Sequence, residues 1–163
     1  MSAQRSKDGR VVSLRPAAPG DVMLLYDWQI HPQTRQFARN PQPPTLHEHR
    51  EWFRQRLGSR DCIIMIVQYD GNAAGCLRLD RIKGERSSAW EVSINIAPQY
   101  YRLGLAKAAL NLARAEVPGA ELIAHVMPHN KASHALFQAA GFQHGSDGNY
   151  HLRVAEMPRD ASA

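Results

Sequence analysis

The sequence lacks most of the features that announce specialised protein classes. It has 2 cysteines in 163 residues, too few for a disulfide framework, and both are expected as reduced thiols. Long hydrophobic runs are missing. The most continuous one, Cys62 to Val67, is of strand length and far below the roughly 18 residues a membrane helix needs. The opening residues MSAQRSKDGR are polar and carry no apolar h-region, which argues against export or an anchor and for a cytoplasmic setting. No repeat, low-complexity block or linker divides the chain, so one domain is expected. Eight histidines are present, but no Cys or carboxylate stands at zinc-like spacing beside His47-x-His49 or the His125, His129, His134 series, so no metal site is expected.

What is plentiful is positive charge, with a net +5 and a pI near 9.6. It is uneven. Residues 1–60 carry ten Lys+Arg against five Asp+Glu, nine of the ten being Arg, whereas residues 61–163 carry ten of each. These cations form no Lys/Arg-rich run of the kind that marks a nucleic-acid arm, so nucleic acid is not expected as a partner. A small phosphorylated ligand suits such a dispersion better than a duplex does.

Residues 1–9 read as a frayed leader and 158–163 as a frayed tail, with the domain spanning 10–157. Val11 to Arg15 is a strand ending at Pro16. Asp21 caps a helix with Val22, Leu25 and Trp28 on its apolar face. A proline loop (Pro41, Pro43, Pro44) leads to the capping box Thr45-Leu46-His47-Glu48 and a helix bearing His49, Phe53 and Leu57. Cys62–Tyr69 and Ala73–Asp80 form a hairpin around Asp70-Gly71-Asn72. Trp90 to Ala97 alternates strictly: Trp90, Val92, Ile94 and Ile96 on one face, Glu91, Ser93, Asn95 and Ala97 on the other. After Pro98 comes a helix with Leu105, Ala109, Leu112 and Ala113 on its apolar face. A strand from Glu121 to Val126 follows, then a helix from Lys131 to Ala140 with Ala132, Ala135, Leu136, Ala139 and Ala140 inward. Gly141 closes that helix, and a final hairpin turns at Ser146-Asp147-Gly148-Asn149. The fold class is α/β, a mixed and mostly antiparallel sheet with about four helices.

Two segments carry chemistry. Pro98-Gln99-Tyr100-Tyr101-Arg102-Leu103-Gly104-Leu105-Ala106 lies between a strand and a helix. Small residues at Gly104 and Ala106 would let a phosphate approach the free amides and the positive end of the helix dipole, with Arg102 and Lys107 nearby. By itself this is a weak motif, since a glycine in a helix N-terminal loop is more often plain turn chemistry. The second segment, Asn130 to Phe142, fits N-x-x-S-x-x-L-F-x-x-x-G-F after a strand. Together with Gly104-x-Ala106 it resembles the GNAT N-acetyltransferase superfamily, over nearly the whole chain. Leu14-Arg15-Pro16-Ala17, Asp21, Trp28, Pro32, Arg35, Thr45-x-x-Glu48-His49-x-x-Trp52-Phe53 and Gly75-x-x-Arg78 are similar to a narrower branch. That branch acetylates the 4-amino group of nucleotide-linked amino sugars, as in pathways of the pseudaminic-acid type.

The resemblance implies a single-domain fold with two splayed central strands, Trp90–Ala97 and Glu121–Val126, and the pantetheine of acetyl-CoA between them. It implies a pyrophosphate on Arg102, Leu103, Gly104, Leu105, Ala106 and Lys107, with Asn130, Ser133 and Phe137 as further cofactor contacts. A neutral amine attacks the thioester directly, and a strand N–H near Ile96 meets the oxyanion. Glu91 stands where many relatives carry the proton acceptor, although a structural carboxylate on a sheet face is the alternative. Arg35, His49, Trp52 and Arg78 are the acceptor-side candidates, and His49 by its helical spacing is also a candidate core histidine. Relatives have Arg or Gln where this chain has Tyr101. Many have a Tyr that protonates the departing thiolate where this chain has Phe137. A thiolate of ordinary pKa, about 8.5, can leave without a dedicated acid. The expected partner is a small amine, best a nucleotide sugar, and a homodimer is compatible with the sequence. A protein N-terminus or an aminoglycoside-like amine are the alternative acceptors, and a non-catalytic acyl-CoA sensor is the alternative of another class.

Overall fold

The computed structural model describes residues 3–84 and 88–158. Eight strands form one sheet in the order β1-β2-β3-β4-β5-β6-β8-β7. The strands are β1 (Gln4–Arg5), β2 (Val11–Pro16), β3 (Cys62–Tyr69), β4 (Asn72–Arg81), β5 (Ala89–Ile96), β6 (Glu121–Ala124), β7 (Gln143–His144) and β8 (Tyr150–Arg153). Every neighbouring pair is antiparallel except β5 and β6. The helices are α1 (Val22–Ile30), the short α2 (Pro32–Arg35), α3 (Leu46–Leu57), α4 (Leu105–Ala113) and α5 (Lys131–Ala139).

Strand alternation sends side chains to two separate cores. On one face Val67, Leu77, Leu79, Trp90 and Val92 pack with Leu105, Ala109, Leu110 and Ala113 of α4 and with Phe137 of α5. On the other, Cys62, Ile64 and Ile66 meet Leu25, Trp28 and Phe53 of α1 and α3. The hairpin between β3 and β4 turns through Asp70 and Gly71 at φ 50° and 82°, the left-handed pair that a two-residue hairpin turn requires. The Thr45 capping box forms in full, Thr45 Oγ1 accepting from Glu48 N at 3.2 Å and Glu48 Oε2 from Thr45 N at 2.8 Å.

Of the expected frayed leader, residues 1–2 lie outside the described residues, and the rest is tied to the domain. Gln4–Arg5 pairs with Val11–Val12, Ser6 is buried, and the Tyr69 hydroxyl donates to Asp8 at 2.5 Å. Backbone pairing and polar side chains, rather than apolar burial, hold this strap. Of the expected frayed tail, residues 159–163 lie outside the described residues.

Three smaller expectations are also corrected. Asp21 stands at the N-cap of α1 but makes no capping bond there; its carboxylate takes a bidentate pair from Arg15, both bonds 2.8 Å, and the Ala18 N–H. Strand β6 ends at Ala124, two residues early, because the chain leaves the sheet before Pro128. In α5, Ala132, Ala135 and Ala139 are exposed, and the buried contact is made by Phe137 and the following Ala140. One bulky aromatic outweighs three alanines in fixing which face turns inward.

Candidate active site

Strand β5 is paired along its whole length with β4, from Arg81↔Trp90 to Gly75↔Ile96. With β6 it is paired only over Ala89↔Glu121, Trp90↔Leu122 and Glu91↔Ile123. Beyond Glu91 the two parallel strands separate, and among the described residues the β6-side edge of residues 92–96 has no strand partner. This is the expected splay. Gly75 fixes the opposite edge: a Cβ there would stand 2.5 Å from the Asn95 carbonyl oxygen and 2.8 Å from Ile96 Cδ1.

At the end of β5 the chain turns through Pro98–Tyr100 and enters α4. Arg102 and Gly104 both adopt positive φ, 66° and 76°. The first helical bond is Ala108 N–H to Gly104 O at 3.2 Å, so the amides of Leu105, Ala106 and Lys107 precede it and have no intrahelical acceptor. Leu105 is buried through its side chain, whereas Arg102 and Lys107 are exposed.

The polar face of β5 forms a floor beneath the α1–α2 corner and the loop after it. Thr34 donates to Asn95 Oδ1 at 3.3 Å, and Asn95 Nδ2 donates to the Trp28 carbonyl at 3.5 Å. Arg39, on the loop, reaches Glu91 Oε1 at 2.5 Å. Across the splay, the Phe37 ring lies 5.4 Å from that of His129, on the loop leading into α5. Glu91 therefore sits where the strands part, one carboxylate oxygen held by Arg39 and its side chain about one-third exposed.

With this geometry the sequence match is decisive: residues 12–143 match the family model for an acetyltransferase (GNAT) domain. The chain belongs to the GNAT acetyltransferase family. It is an acyl-CoA-dependent N-acetyltransferase that acts on amines and takes acetyl-CoA as co-substrate. No curated protein matches it in a sequence search. Among solved structures, this GNAT protein is similar in fold to a spermidine N-acetyltransferase from Vibrio cholerae in complex with CoA and spermine. That pair has a TM-score of 0.75 and 17% identity over 88% of this chain and 95% of the other. It is similar to an aminoglycoside acetyltransferase in complex with coenzyme A (TM-score 0.71, 16% identity, 87% and 94% covered). It is also similar to RimJ from Mycobacterium smegmatis in complex with CoA-disulfide (TM-score 0.75, 18% identity, 97% and 88% covered).

The residues of this GNAT chain fit the co-substrate. The splay exposes strand backbone to an extended amide-containing arm, and the left-handed Gly104 brings free amides together where phosphates can meet them. Among the candidates, Ile96 ends β5 beside the splay, and Arg102 to Lys107 form the loop and first turn. Asn130 caps α5 by accepting from Ser133 N at 3.2 Å. Phe137 is 4% exposed and packs between Phe142 and Tyr150, so it is a core residue rather than the lining contact expected of it.

The acceptor-side candidates divide. His49 leaves the site: it is 2% exposed, its Nε2 lies 2.8 Å from the Val22 carbonyl, and its ring stacks on Phe53. Arg35 is the brace of the proline loop, donating to the carbonyls of Asn40 (3.0 Å) and Gln42 (3.3 Å) and to Gln29 Oε1 (2.7 Å). Arg78 lies over the Trp52 ring at 5.2 Å and pairs with Asp80 at 2.6 Å, on the same sheet face as Glu91. Arg39 and Thr34 carry no signal in the sequence, because an irregular loop and a four-residue helix have no period to read. Asn95 was visible in the β5 alternation as a polar-face residue. Among the described residues, no three metal-ligating side chains converge and no helix is long and apolar enough to cross a membrane.

Proposed function

We propose that this acetyltransferase transfers acetyl to the amine of an acceptor that carries negative charge, best a 4-amino sugar linked to a nucleotide. The observation that carries the reading is the Arg39–Glu91 contact on the floor of the acceptor cleft, with Arg78 one strand away. A polycation approaching Glu91 meets Arg39 first and is repelled. An acceptor bearing phosphate or carboxylate pairs with that guanidinium instead and brings its amine to the carboxylate.

In this reading Glu91 accepts the proton that the amine must lose, directly or through a water. The backbone N–H near Ile96 faces the oxyanion that develops on the thioester carbonyl. The amides of residues 102–107 hold the pyrophosphate of the co-substrate, and Asn130 and Ser133 shape the far wall. The departing thiolate needs no acid from Phe137, which is enclosed in the core. Glu91→Gln tests the assignment: it should lower the turnover rate by about 10²–10⁴-fold while leaving the acetyl-CoA Kd unchanged. Unchanged turnover would remove Glu91 from the chemistry.

A further inference from the structure

The N-terminal strap is built against the turn that opens α4. The Lys7 N–H donates to the Leu103 carbonyl at 2.8 Å. The Lys7 stem lies across Gly104: a Cβ at that glycine would stand 3.3, 3.7 and 3.9 Å from Lys7 Cγ, Cε and Cδ. Two independent ties hold the strap in this register. Gln4 Oε1 accepts from Asn111 of α4 at 3.3 Å, and Asp8 takes the Tyr69 hydroxyl. The left-handed φ of 76° favours glycine at 104, its missing Cβ leaves room for the lysine stem, and the backbone of residue 7 is held by its own hydrogen bond. The stem thus passes the residue that caps the N-terminus of α4, and Lys7, Arg102 and Lys107 are all exposed.

We propose that Lys7 is a phosphate-binding residue of the co-substrate site, and that the strap from Gln4 to Arg10 is the outer wall of that site. The inference rests on the reading that residues 102–107 hold the pyrophosphate, and it adds to that reading a cation from the other end of the domain. Backbone amides supply direction and partial charge; Lys7 supplies a full charge on a stem already laid down along Gly104, so little of its freedom remains to be lost on binding. It also gives the N-terminal strand a function that its two-residue pairing does not explain.

The test is acetyl-CoA binding by titration calorimetry to the full-length protein and its Lys7→Gln and Lys7→Arg variants, at low and high salt. Lys7→Gln should weaken the Kd by about 5–20-fold at low salt, Lys7→Arg should stay within about twofold of wild type, and the Lys7→Gln deficit should shrink at high salt. The melting temperatures of the three free proteins should coincide, because the Lys7–Leu103 bond uses backbone atoms and survives both substitutions. A Lys7→Gln protein that binds like wild type, a Lys7→Arg protein as weak as Lys7→Gln, or a deficit unchanged by salt would each overturn the proposal. Failure of the wild type itself to bind acetyl-CoA would overturn the phosphate-loop reading along with it.

Discussion

Gly75→Ala probes the position of β5, the strand that bears Glu91, without removing a polar group. The new Cβ would lie 2.5 Å from Asn95 O, 2.8 Å from Ile96 Cδ1 and 3.1 Å from Ile96 Cα, whereas ordinary contact begins at 3.4 Å. Two of these three atoms belong to backbone, so the clash cannot be relieved by a rotamer change, and β4 and β5 must part by close to an ångström. Overpacking of this kind costs about 1–3 kcal/mol. At roughly 2–4 °C per kcal/mol for a chain of this size, Tm should fall by about 2–12 °C. The displaced residues are Asn95 and Ile96, so kcat should fall as well, by about 10²-fold if the oxyanion donor shifts by the full distance. Gly58→Ala is the control, since a Cβ there meets only Gln55 O at 3.9 Å. The assay pairs a thermal melt with thiol release. A Gly75→Ala protein that melts and turns over like Gly58→Ala would refute the claim that this glycine sets the position of β5.

Asn130→Ala removes the acceptor for Ser133 N at the start of α5 and should cost about 1 kcal/mol, read as a Tm lower by about 2–4 °C. His151 lies between Glu121 and Asp147, each 3.0 Å from a ring nitrogen, and chiefly the bond to Asp147 raises its pKa above the ordinary 6.5. The stability it adds is therefore full below about pH 6.5 and lost as pH rises through the folded value; His151→Gln should flatten that part of the curve. Asp147 is pulled down to about 2 by the Asn149 N–H and His151, so its contribution is present above about pH 4 and lost as pH falls toward 2. Burial pushes the Cys76 thiol up to about 12 and the Cys62 thiol up to about 11. A thiol reagent at pH 8 should label neither at the rate of a free cysteine, and both on unfolding.

Much of this was legible in the sequence, and for identifiable reasons. The β5 alternation, the Asp70-Gly71 turn and the Thr45–Glu48 box each join a local conformational preference to burial that agrees with it, so local and global signals coincide. The strap was not legible, because Gln4, Arg5, Lys7 and Asp8 read as solvent-exposed residues and are held by partners as distant in sequence as Tyr69, Leu103 and Asn111. Arg39 left no signal either: it sits on a loop whose shape is set by Arg35, itself read as a substrate contact until its guanidinium is seen to brace the loop. The basic excess is also quieter than its count suggests. Arg10, Arg15, Arg54 and Arg56 are paired with Asp70, Asp21, Glu51 and Asp80, and Arg39 and Arg78 with Glu91 and Asp80, so an anionic acceptor in the proposed cleft has to share Arg39 with Glu91.

The most direct measurement is acetyl-CoA-dependent thiol release by the purified protein, with a nucleotide-linked 4-amino sugar, spermidine and kanamycin compared as acceptors at equal concentration. An anion-selective cleft predicts release with the nucleotide sugar at a kcat/KM at least about tenfold above the two polycations, a modest difference for one repelling guanidinium. Faster release with spermidine or kanamycin would contradict it, and so would tight acetyl-CoA binding with no acceptor-dependent release from the nucleotide sugar.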